Sequence, residues 1–224
     1  MQRNVLLKPH EVSNRLAELG LVESELLEAV RKGMAARFSC TPNHPPLAPG
    51  FYGWSETVRG LRDILMIQGW GRDDDGLLSL AVSPDGKIAI AVATGDEATG
   101  DPQRIPCTKS SKGPRTKDAI EVNVLQLHLF EQEEAIKTDE QLKLVRSRLT
   151  YWLLIRMDEE AQTLRCELST PIYLGPDGKI AGWDERIILG SISFGHEPNA
   201  RKLDPEEGPQ SGATDVDVQV KRRA

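Results

Sequence analysis

The 224-residue chain is short of the features that mark specialised classes of protein. It has three cysteines, Cys40, Cys107 and Cys166, odd in number and far apart. That spacing argues against a disulfide framework and fits a reducing compartment. No apolar run approaches membrane-spanning length, and the best, YWLLI from Tyr151 to Ile155, is strand-sized. The start, MQRNVLLKPHEV, is polar and has no apolar segment of signal-peptide length. A cytoplasmic protein that does not enter a membrane is expected. There is no G-x-x-x-x-G-K-[ST] loop, and GDEATGD places Asp101 where the lysine is needed, which excludes P-loop chemistry. Neither a G-x-S-x-G elbow nor a Cys–His pairing for nucleophilic catalysis is present.

Metal ligands are equally sparse. Cys40 and His44 form one C-x3-H pair with no second pair, whereas zinc needs about four ligands. The acidic run Asp73-Asp74-Asp75-Gly76 resembles part of a calcium loop. Its first and last ligand positions would fall on Gly71 and Val82, which offer no side-chain carboxylate. A solvated turn is the simpler reading, and no metal or cofactor is expected. The arrangement closest to a metal-dependent nuclease is Asp177-Gly178-Lys179 with Glu167 on the preceding strand. Asp177-Gly178 is equally well explained as a turn, so an enzyme acting on nucleic acid or nucleotides stands as an alternative.

What is present is an ordinary soluble composition, 39% apolar and 28% charged, with a net charge of −6. That excludes a surface that is basic throughout and leaves room for a local basic patch. Over residues 10–38, Leu16, Leu19, Leu26, Leu27, Val30 and Met34 recur at helical spacing, broken at Gly20. Two helices packed as a hairpin are expected. A DNA-reading helix-turn-helix is disfavoured by Glu23, Glu25 and Glu28 at the start of the second helix. After the Pro-rich connector TPNHPPLAPG, a helix capped by Ser55 should run to about Gln68. LLSLAV and KIAIAVAT flank an Asp-Gly turn, and the later strands TYWLLIRM, TLRCELSTPIYL and KIAGWDERIILGSISF repeat that logic. A further helix over 139–148 is expected behind Thr138. The pattern predicts an α+β fold: an N-terminal helical segment (1–40), then a largely antiparallel sheet of hairpins with two or three packed helices (50–194). A polar, disordered tail (195–224) is expected to follow.

Two stretches point to function. RIPCTKSSKGPRTK, residues 104–117, carries Arg104, Lys109, Lys112, Arg115 and Lys117 and no acid. Ser110, Ser111 and Gly113 allow a phosphate to approach closely, and Thr116 is placed to begin a helix whose free N–H groups favour an anion. Such a segment binds nucleic-acid backbone without reading sequence. A solvated loop balancing Asp96, Glu97 and Asp101 is the plainer reading. Phe51, Tyr52 and Trp54 are candidate stacking partners, though nothing in the sequence places them near it.

The second stretch is QLHLF, Gln126–Phe130. It resembles the QLxLF peptide by which many bacterial replication and repair proteins dock on the sliding clamp. The resemblance covers these five residues alone, with His128 at the variable position. It implies that Gln126 is a polar anchor, Leu127 part of the motif, and Leu129 and Phe130 the side chains that fill an apolar pocket. The same residues also fit a half-buried strand or the inward face of a helix begun at Thr116. Together the two stretches lead to an expected accessory protein of bacterial DNA metabolism, of a kind that a mobile element could encode. It would bind nucleic-acid phosphate and the clamp without catalysis, with a regulatory interaction module as a further alternative.

Overall fold

A computed structural model of the protein describes residues 4–131 and 148–194. The helix expected over 139–148, apart from Arg148, and the tail 195–224 lie outside the described residues. In chain order the elements are β1 (Asn4–Leu6), α1 (Pro9–Glu18), α2 (Glu23–Phe38), α3 (Ala48–Met66), β2 (Gly71–Asp73), β3 (Leu80–Val82) and β4 (Ile88–Thr94). There follow α4 (Pro114–Glu131), β5 (Leu149–Asp158), β6 (Thr163–Leu174), β7 (Ile180–Ile188) and β8 (Ile192–Ser193). The fold is α+β. The described strands form one eight-stranded sheet, ordered β1-β7-β6-β5-β4-β3-β2, with β8 also paired to β6. Most neighbours are antiparallel, but β4–β5 and β1–β7 are parallel.

The tight turns fold as their residues require. Gly86 and Gly178 of the two PDGKIA copies both take φ +74°, and Asp85 accepts hydrogen bonds from Ser83 Oγ and Lys87 N. Gly20 ends α1 at φ +69°, and Leu21 N donates back to Leu16 O at 2.8 Å. The second helix does not pair mainly with the first, however; α2 packs along α3. Glycine sets that closeness: a Cβ on Gly33 would collide with Thr57 Oγ1 and the Gly53 carbonyl. The α2 acids serve the fold, with Glu23 accepting from Gly190 N (2.6 Å) and Glu25 from Gln68 Nε2. α3 begins at Ala48 rather than Ser55, because Pro49 suits a first helical turn, where its missing N–H costs nothing.

Alternation along β4 divides the core between two layers. Ile90 and Val92 face α1–α3, together with Tyr151, Leu153, Cys166, Leu168 and Ile187. Ala89, Ala91 and Ala93 face the other way, where Ile120 of α4 meets Trp152, Leu154, Ile180 and Trp183. The small alanines leave room for the two indoles. Helices α1–α3 therefore cover one face, while α4 and the segment 95–113 cover the other. The N-terminal helices and the later strands share this body, and β1 pairs with β7. Among the described residues no helix is long and apolar enough to cross a membrane.

Candidate functional site

The segment 95–113 leaves the end of β4 and lies along the sheet as a bonded strap. Lys109 N donates to Thr94 O (2.9 Å), Thr108 N to Ile180 O (3.0 Å) and Lys112 N to Gly178 O (2.8 Å). Trp183 Nε1 donates to Pro106 O at 2.7 Å. The strongest tie is a fully buried ion pair from β6 and β7. Arg186 donates from Nε to Glu167 Oε1 (3.0 Å) and from Nη2 to Glu167 Oε2 (2.5 Å). The same guanidinium reaches Arg104 O (2.7 Å) and Asp101 O (3.1 Å), and Glu167 also accepts from Gly100 N and Ser169 Oγ. A planar five-donor group suits this multiple capture. The basic segment is thus held at its backbone, and its cations project from a fixed line.

A β-bulge makes that geometry possible. Ser169 pairs with Arg186 but Pro171 pairs with Trp183, so β7 carries one residue more than β6 over this stretch. The extra residue reverses the alternation, which places Trp183 and Arg186 on one side of the sheet. Pro171, which has no N–H to donate, sits where the ladder is already broken. Its carbonyl accepts from Asn123 Nδ2, which also bonds the Thr150 carbonyl, while Asn123 Oδ1 accepts from Thr150 N; the three bonds anchor α4.

Beside the strap lies a cleft of about 660 Å³ at the carboxyl ends of the parallel pair β4–β5. Crevices at such ends are where open sheets that carry helices on both faces bind ligands. Val92–Thr94 and Ile155–Glu160 form its floor, α2 and α3 one wall, and the strap the other. Its cations are Arg37, Arg104, Lys109, Arg156 and Arg165, and its acids Glu97, Asp158, Glu159 and Glu160. Arg165 pairs with Asp158 at 3.0 Å. The Ala161 amide first, and then Arg165 and Arg156, hold the Asp158 carboxyl below the usual carboxylate range. Arg156 Nε, in the floor, is buried without a hydrogen-bond partner among the described residues. Trp54 of α3 also lines the cleft, tied by Nε1 to Val92 O at 3.1 Å.

The structure divides the cations singled out in the sequence. Arg104 and Lys109 meet in the cleft. Arg115 lies elsewhere, 3.2 Å from Asp75, and Lys117 faces Glu121 along α4 at 3.8 Å. Lys112 is half-buried, and that desolvation pushes its ammonium pKa down. The Asp73–Asp75 run is not a free turn: Asp73 pairs with Arg148, Asp74 with Arg62 and Asp75 with Arg115. Glu167 is consumed in the buried pair, while Asp177 is an exposed turn residue bonded to Lys179 N. The two are not brought together. Sequence reasoning misses Arg37, Arg156 and Arg165, because they reach the cleft only through the β4–β5 pairing and the α2–α3 packing.

QLHLF forms the end of α4. Thr116, Ile120, Asn123 and Gln126 make its buried stripe, and Gln126 is both 3% exposed and partnered. Leu127 is half-buried, and the side chains of Leu129 and Phe130 lie outside the described residues.

The class that fold and cleft define is a mixed-sheet α+β protein with a charged crevice at the ends of its central parallel strands. Comparison with family models, curated proteins and solved structures finds no match to the chain.

Proposed function

We propose that the protein binds the phosphate backbone of nucleic acid in the β4–β5 cleft, as a non-enzymatic accessory protein of DNA metabolism in the cytoplasm. One observation carries this reading: Arg104 and Lys109, from the acid-free segment 104–117, converge with Arg37 and Arg156 in a cleft of a chain whose net charge is −6. Phosphate contacts of this kind confer affinity without sequence preference, and each contact adds to the salt dependence. The four acids of the cleft moderate the attraction, so binding is strongest at low ionic strength.

Anisotropy titrations of a labelled oligonucleotide over a range of salt test the proposal. The double variant Arg104→Ala/Lys109→Ala should reduce the salt slope by roughly 1.4 on a single strand, at about 0.7 per lost contact. Arg115→Ala with Lys117→Ala should alter it less, because an acid already holds each of them. A slope unchanged in the first variant removes the reading. Docking of Gln126–Phe130 on a sliding clamp belongs to the same proposal and requires release of buried Gln126 from the last turns of α4. A clamp titration checks it, with Leu129→Ala and Phe130→Ala as controls shown to be folded.

A further inference from the structure

At the start of α3 three aromatic rings stand in solvent where a folded core would be expected to claim them. Phe51 is 58% exposed, Tyr52 42% and Trp54 37%. They form a chain with His44: centroids lie 6.1 Å apart for His44–Tyr52, 5.8 Å for Tyr52–Phe51 and 6.1 Å for Phe51–Trp54. Interplanar angles of 48° to 87° mean that none of these pairs is stacked face to face. The row ends at Trp54, in the wall of the cleft that holds Arg104, Lys109 and Arg156. Trp54 also lines a second groove, of about 740 Å³, on the far side of α3 with Arg59, Arg62 and Arg72. One indole shared by two grooves suits an extended polymer better than a compact ligand.

We infer that the ligand of the cleft is a single strand of nucleic acid, whose bases stack on Phe51, Tyr52 and Trp54 while its phosphates run along Arg104, Lys109 and Arg156. The inference rests on the phosphate-binding reading of that cleft. Exposed rings beside a cationic track are the two parts from which single-strand binding surfaces are built, since every base offers a π-face and every linkage a charge. A duplex keeps its bases stacked inside and gives the rings nothing to engage. Charge density favours this occupant over a second copy of the chain: a strand carries a negative charge at every linkage, whereas the chain carries an excess of only six over 224 residues.

The four tryptophans provide a local reporter. Trp70, Trp152 and Trp183 are at most 5% exposed, so ligand quenching of indole emission reports Trp54. The full chain is titrated with a deoxythymidine oligomer of about 15 nucleotides, a duplex of equal length, and base-free polyphosphate. The oligomer should bind about tenfold tighter than the duplex and quench the emission. Phe51→Ala and Tyr52→Ala, at exposed positions that leave the fold intact, should each weaken the oligomer by roughly fivefold or more and leave polyphosphate binding unchanged. Equal affinity for duplex and oligomer, with no quenching and no effect of either ring, overturns the inference and leaves phosphate binding standing. Failure of all three ligands to bind at low salt overturns both. Should the ring variants instead convert a dimer to a monomer in sedimentation without changing oligomer affinity, the rings cover a second copy and the inference is wrong.

Discussion

One face of the sheet presents Ile90, Val92, Leu153, Cys166, Leu168 and Ile187 to three helices; the other presents three alanines, two tryptophans and the Glu167–Arg186 pair to α4 and a strap. The first face closes by apolar burial, which is non-directional and depends on area and packing. The second closes by bonds with fixed partners, and those bonds decide where the long connection 95–113, between Thr94 and Pro114, lies. A greasy surface would hold such a segment without aligning it. Directed bonds to Arg104 O, Pro106 O, Thr108 and Lys109 N set the line from which the cleft cations project. The polar face therefore specifies the site, and the apolar face supplies a platform stiff enough to hold it.

Removing one partner of the buried pair should break this contrast most visibly. Arg186→Ala leaves the buried Glu167 without its countercharge, held only by Gly100 N and Ser169 Oγ, at a cost of about 3–5 kcal/mol in urea unfolding. Leu153→Ala on the opposite face should cost a comparable amount, about 2–5 kcal/mol, by leaving a cavity. The two differ in repair. Replacing both ions, as Glu167→Leu/Arg186→Met, should recover much of the stability without recovering the salt-dependent binding proposed for the cleft, because the strap has lost its register. A single Arg186→Ala loss below about 1 kcal/mol would show that the pair is not dry.

A smaller effect separates the faces by pH. Tyr151 lies on the apolar face, where burial first, and then the Glu185 carboxylate, pushes its hydroxyl up to about 12. The unfolded chain releases that proton near pH 10 and the folded one about two units later. Stability from this group is complete below pH 10 and falls as pH rises towards 12, by about 2–3 kcal/mol at 1.36 kcal/mol per unit. Tyr151→Phe should lack this part of the alkaline limb; identical limbs in both proteins would refute the burial.

The smallest effect sets a half-exposed ion pair against the buried one. Arg148 Nη1 lies 2.7 Å from Asp73 Oδ2, and that contact, followed by the Asp75 amide, holds the Asp73 carboxyl below its usual range. Its contribution, about 1 kcal/mol or less at this exposure, is present above the ordinary aspartate pKa of about 3.9. It is lost as pH falls through the lowered folded value. Asp73→Asn should therefore cost little at neutral pH and make the acid limb slightly shallower. A neutral-pH loss matching that of Arg186→Ala would erase the distinction between wet and dry pairs.

Local chemistry was enough to determine the hairpins, the two PDG turns, the Gly20 stop between the first helices and the α+β class, because each rests on residues within a few positions of one another. The acid-free run 104–117 was legible as a charge pattern. Tertiary structure alone decided that two of its five cations share a cleft and that Arg115 is held by Asp75. It alone brought Arg37, Arg156 and Trp54 to Arg104 and turned Trp183 onto the face of Glu167 and Arg186 through a one-residue bulge. The reason is separation along the chain. The parallel pairing of β4 with β5 sets Ile88 beside Leu149 and Thr94 beside Ile155, with the strap, α4 and the segment after it between the two strands. No short window of residues encodes such a register, because the loop must close before any contact across it can form.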